Sequence, residues 1–151
     1  MPSRMAAESS ALDVGLGLWF ALVLIATLTP TPDAYARRIL RLAPTDLRNL
    51  VLHAGGRWDL LGQLATNCIM FMPLGLLGPA RSRWLDHPGR LLLVAATVSG
   101  SIEAMQFVLG IGRTTSTDDV WVNTVGALAG WGLFRFISKV RPRYRDTGKR
   151  S

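Results

Sequence analysis

The run from Leu91 to Gly110 constrains this chain more than any other segment, because Glu103 and Gln106 are the only charged and amide residues in an otherwise apolar stretch of aliphatic, aromatic and small side chains. Its length matches the roughly 20 residues, at about 1.5 Å each, that a helix needs to cross a bilayer. A carboxylate near the middle of such a helix costs roughly 2.5–3.5 kcal/mol on insertion scales. Sequences seldom carry that cost without a use for the group, so Glu103 is the first candidate functional residue.

Three more windows have the same character, and 49% of the 151 residues are hydrophobic. The fold class expected is all-α, a polytopic membrane helical bundle with four transmembrane helices at about 14–29, 60–80, 91–110 and 119–138. Pro73 falls inside the second window, where a membrane helix tolerates it because neighbouring groups satisfy the freed backbone carbonyl. Residues 1–13 are polar and expected to be disordered. Residues 14–138 form the membrane domain, and 139–151 are a basic tail.

The net charge of +7 flanks the apolar windows and accompanies no nucleic-acid motif, so it reads as topology rather than nucleic-acid binding. With four spans, eleven Lys and Arg residues fall on the side of the termini and six on the other side. The positive-inside bias then places both termini in the cytoplasm. The tail also suits anionic lipid at the membrane surface. Ala34, Tyr35 and Ala36 imitate a signal-peptidase site, but Arg4 is the lone basic residue before the first span and the apolar run is long for a signal peptide. The first span is therefore expected to be retained.

The long loop 30–59 contains a capped amphipathic stretch from Thr45 to Gly56, read as a short helix in the outer interface. Cys68 is the one cysteine, excluding an internal disulfide, and His53 and His87 are isolated. No metal site or cofactor is expected.

Residues three and four apart share a helix face. Asp59, Gln63 and Asn67 recur at every fourth position in the second span. Ser99, Glu103, Gln106 and Gly110 align in the third, and Asp119, Asn123, Gly126 and Gly130 in the fourth. These stripes are expected to face one another while the remaining apolar surface meets lipid. Asn67, Glu103 and Asn123 then lie at one level, with Arg113, Asp118 and Asp119 above them as a charged lid. Structural readings stand beside this one. Thr115 with Asp118, or Ser116 with Asp119, fits a helix capping pattern. Gly126 and Gly130 form a close-packing motif, within the chain or against a second copy.

The segment Asn67 to Gly75, reading N-C-I-M-F-M-P-L-G, resembles the N-x-x-x-F-x-P-x-G signature of the VanZ-like family. Glu103, Gln106, Arg113, Asp118, Asp119, Asn123, Gly126 and Gly130 follow in the order and spacing of its second block. The resemblance implies a small helical bundle in the bacterial cytoplasmic membrane. It also implies a link to glycopeptide resistance, since the family takes its name from a protein associated with reduced susceptibility to teicoplanin. No catalytic assignment comes with it.

Two mechanisms compete on these side chains. In the first, an outer-leaflet pocket binds a lipid-linked cell-wall precursor, a peptidoglycan-related group or a glycopeptide-related ligand. Arg113 meets anionic headgroups there, and Asn67, Glu103, Gln106, Asp118, Asp119 and Asn123 complete the pocket. In the second, the protein is a membrane-embedded enzyme acting on an envelope lipid, with Glu103 as acid or base and Asp119 as its ionised counterpart. Proton-coupled transport ranks third, since four short spans offer little material for two gates.

Overall fold

The computed structural model describes residues 2–30, 39–41, 58–111 and 114–140. The chain folds into four long helices: α1 (Pro2–Leu28), α2 (Trp58–Arg81), α3 (Pro88–Leu109) and α4 (Thr117–Val140). Each contains a segment long and apolar enough to cross a membrane, at Ser9–Leu28, Leu61–Arg81, Pro88–Leu109 and Thr117–Val140. The all-α expectation of four spans holds. Helix α1 begins well before Val14, over the polar segment for which the sequence alone predicts no order. Alanines 6, 7 and 11 and Glu8, all strong helix formers, favour that extension.

Two extended stretches of three residues accompany the helices. Ile39–Arg41 (β1) pairs in parallel with Thr114–Ser116 (β2), Arg41 opposite Ser116. The β-branched pair Thr114 and Thr115 favours extended backbone here. The long loop therefore returns to the α3–α4 connection. The interfacial helix expected between Thr45 and Gly56 lies outside the described residues, as do Arg113 and the tail from 141.

Helix α4 packs between α2 and α3, and α1 closes the opposite side against the same two helices. The α2–α4 seam is the tightest. A Cβ placed on Gly126 would lie 2.0 Å from the Cys68 carbonyl oxygen, and one on Gly130 would lie 2.0 Å from that of Met72. In return, a Cβ on Gly75 would lie 1.8 Å from the Ala127 oxygen. These are backbone-to-backbone approaches, which only residues without a side chain permit, and close approach is how membrane helices gain packing energy. Gly126 and Gly130 are thus occupied within the chain, which removes the physical basis for seating a second copy on them.

The core is small. Val23, Phe71, Leu74, Leu91, Ala95, Ile102 and Ala127 form it, with Trp19 and Trp131 among the side chains packed around it. Leu18, Leu22, Ile25, Leu93, Val108 and Phe136 are exposed, as a lipid-facing surface requires. Trp19 Nε1 donates to the Met70 carbonyl at 2.5 Å, three residues before Pro73. An indole from α1 thus reaches the α2 backbone in the turn disturbed by the proline.

Candidate functional site

At one end of the bundle α1 and α3 finish, and α2 and α4 begin. The sequence terminates α3 there with Gly110, which takes a left-handed conformation (φ 62°) and donates its N–H to the Gln106 carbonyl. Helix α4 starts at Thr117, and Ser116 serves as its cap: Ser116 Oγ accepts from the Asp118 N–H at 3.2 Å.

In a capping box the acidic residue three positions into the helix would return to the cap's own N–H. Glu103 of α3 supplies that contact instead, its Oε2 accepting from the Ser116 N–H at 3.0 Å. Asp119 Oδ1 accepts from Asn67 Nδ2 of α2 at 2.5 Å. One carboxylate caps α4 from a neighbouring helix, and the residue that a local box would have used ties α4 to α2.

Three carboxylates, Glu103, Asp118 and Asp119, are therefore gathered around the start of α4. All are buried, Asp118 to 1% exposure. Ser116 Oγ lies 3.3 Å from Asp118 Oδ2, its hydroxyl donating. The expected charged lid is corrected on this point, because Asp118 and Asp119 lie inside the protein. The N–H groups that open a helix, which have no acceptor within it, and the positive end of its dipole, equivalent to roughly half a charge, make that burial tolerable.

Asn123 lies one turn deeper and donates from Nδ2 to Ser99 Oγ at 2.8 Å; both residues are buried. Its Oδ1 is buried and has no hydrogen-bond partner among the described residues. Gln106 turns to another task, its Nε2 donating at 2.9 Å to the Thr27 carbonyl near the end of α1. Gln63, in the same sequence stripe as Asn67, is exposed. Steps of four residues advance by about 40° beyond a full turn, so a four-residue stripe soon leaves the shared face.

The structure brings Asn67, Glu103, Asp118, Asp119 and Asn123 to one end of the α2–α3–α4 contact, and Gln106 joins α1 to it. Ser99, Ser116 and Thr27 were not among the expected site residues. Ser99 stands four positions before Glu103 in its stripe and Ser116 opens a capping pattern, so both carried a signal. Thr27 contributes only a carbonyl, which has none. Among the described residues no three His, Cys, Asp or Glu side chains are arranged to hold a metal ion. The arrangement offers acceptor oxygens within a largely apolar bundle, a chemistry matched to ligand O–H and N–H donors.

No curated protein and no solved structure matches the chain. The family model described as VanZ/LLP1 matches residues 15–138, which takes in α2 and α3 whole, most of the membrane spans of α1 and α4, and every described site residue. The glycine seam and the polar layer beside it thus lie within the matched region, and the chain is a membrane protein belonging to the VanZ-like family.

Proposed function

We propose that this chain is a bacterial envelope protein that binds a lipid-linked or peptidoglycan-related group at the polar layer around Asn67, Glu103, Asp119 and Asn123. The layer lies in the outer leaflet of the cytoplasmic membrane, with both termini in the cytoplasm. The observation that carries this reading is the burial of three carboxylates at one helix start inside a bundle with an apolar exterior. A single capping contact does not require three acids, and ionisable groups within membrane segments mark sites by default. Sugar hydroxyls, amides and amines of cell-wall intermediates are donors that suit these acceptors. Asn123 Oδ1 adds a buried acceptor one turn below. Through such binding the protein lowers susceptibility to glycopeptides such as teicoplanin, the property linked with the family.

The test is a set of substitutions, Asn67→Leu, Glu103→Gln, Arg113→Gln and Asp119→Asn, scored for membrane level and teicoplanin susceptibility in a host lacking the wild-type copy. Loss of protection at normal membrane level is expected for Asn67→Leu, Arg113→Gln and Asp119→Asn, whereas Glu103→Gln should keep part of it, since geometry survives there without charge. Unchanged susceptibility across the set would overturn the resistance assignment. The enzyme reading, with Glu103 as acid or base, predicts abolished turnover in Glu103→Gln. The Glu103–Ser116 contact favours binding, because it fixes the carboxylate as an acceptor.

A further inference from the structure

The opposite end of the bundle carries its own polar cluster, unused by the site above. Residues Ser82 to His87 join α2 to α3, with a 3-10 turn at Arg83–Leu85. Leu85 fixes this turn, since a Cβ on Gly78 of α2 would lie 3.1 Å from Leu85 Cδ1. Trp84 is half exposed, and the Arg90 guanidinium lies 5.6 Å from its ring centroid.

Charge is unevenly satisfied here. Asp86 is committed to α4, accepting from Trp131 Nε1 at 3.1 Å and from an Arg135 amino group at 2.9 Å. Asp13 of α1 is committed to Arg81, at 2.5 Å. Arg83, Arg90 and Lys139 have no carboxylate partner among the described residues. Counting side chains described at this end, five cations (Arg81, Arg83, Arg90, Arg135 and Lys139) face two carboxylates (Asp13 and Asp86), an excess of three positive charges.

We infer that the Arg83–Trp84–Arg90 corner binds the phosphate headgroup of an anionic phospholipid. A guanidinium held over an indole ring by a cation–π contact keeps its fork of N–H donors available. That fork matches phosphate oxygens, and tryptophan favours the headgroup level of a bilayer. The acids that could compete are already engaged, Asp13 by Arg81 of α2 and Asp86 by Trp131 and Arg135 of α4, so phosphate is the anion that the membrane itself supplies. Leu85 and Gly78 hold the turn in place, which makes this a positioned corner rather than a diffuse basic surface.

The test compares lipid retention by the full chain purified in mild detergent from vesicles holding equal parts phosphatidylglycerol and phosphatidylcholine, read by native mass spectrometry. The wild type should retain phosphatidylglycerol preferentially. Removing a basic group near a membrane surface should cost about fivefold in that preference, so R83Q/R90Q should bring it close to parity. Both arginines are exposed, so the variant should reach the membrane at the wild-type level. A second variant, R141Q/R143Q/R145Q, neutralises tail residues instead and should keep most of the preference. Equal retention of the two lipids by the wild type would overturn the inference. So would an undiminished preference in R83Q/R90Q, or its loss in the tail variant alone.

Discussion

Replacing Gly126 with alanine is the most direct perturbation of this architecture. The new Cβ would start 2.0 Å from the Cys68 carbonyl oxygen and 2.8 Å from its carbon, where ordinary contact begins at 3.4 Å. The obstacle is backbone, so no rotamer relieves it and α2 and α4 must separate by about 1.4 Å locally. Overpacking of this kind costs about 1–3 kcal/mol, offset by up to ~1 kcal/mol of improved helix propensity. At Gly132 on the same helix and Gly100 on α3, an added Cβ would meet nothing within 4 Å, so only the propensity gain remains there. The difference between Gly126→Ala and Gly132→Ala therefore isolates the steric cost of the seam. Denaturant unfolding of the purified protein in micelles, followed by far-UV circular dichroism, would measure it. Equal stability of the two variants would refute the close α2–α4 approach, and with it the placement of Asn67 beside Asp119.

Other substitutions test single contacts in the same assay. Trp19→Phe keeps the edge contact with Phe71 (centroids 5.8 Å apart) but loses the donor to Met70, an expected cost of about 0.5–1.5 kcal/mol. Glu103→Gln keeps an oxygen for the Ser116 N–H, whereas Glu103→Leu orphans that buried donor at about 1–3 kcal/mol, so leucine should be clearly the less stable. For Asn67→Leu and Asp119→Leu, the double variant should lose less than the sum of the single ones, with a coupling of about 0.6–1.7 kcal/mol; strict additivity would show that the pair does not interact.

The spans were legible because length and apolarity decide them almost alone. Asn67 and Asp119 were legible as residues that would seek polar partners, because a polar side chain in such a span has few places to go. Their pairing was less so. Helical spacing set Asn67, Glu103 and Asn123 at one level, but Glu103 finds a backbone N–H and Asn123 pairs with Ser99 a turn deeper. Backbone partners have no identity in a sequence, so neither the Ser116 N–H nor the Thr27 carbonyl could be anticipated. The β1–β2 pairing escaped for another reason: three residues are too few to display a period, and the pairing depends on a long loop returning.

The position of the site follows from helix polarity. At its end of the bundle α2 and α4 present N–H groups and partial positive charge, while α1 and α3 present carbonyls and partial negative charge. The side chains sort accordingly. Glu103 accepts from the Ser116 N–H at the α4 start, Asp118 accepts there from the Ser116 hydroxyl, and the Gln106 amide donates to a carbonyl near the α1 end. The opposite end obeys the same rule, with Arg81 and Lys139 in the last turns of α2 and α4 and His87 Nδ1 accepting from the Gly89 N–H where α3 begins. Among these helix ends the α4 start is the one built to hold several buried acids, because its cap draws on α3 and its first turn draws on α2. On the proposed binding reading, a ligand reaching that layer meets acceptors already held in place, and what it must bring is hydrogen-bond donors.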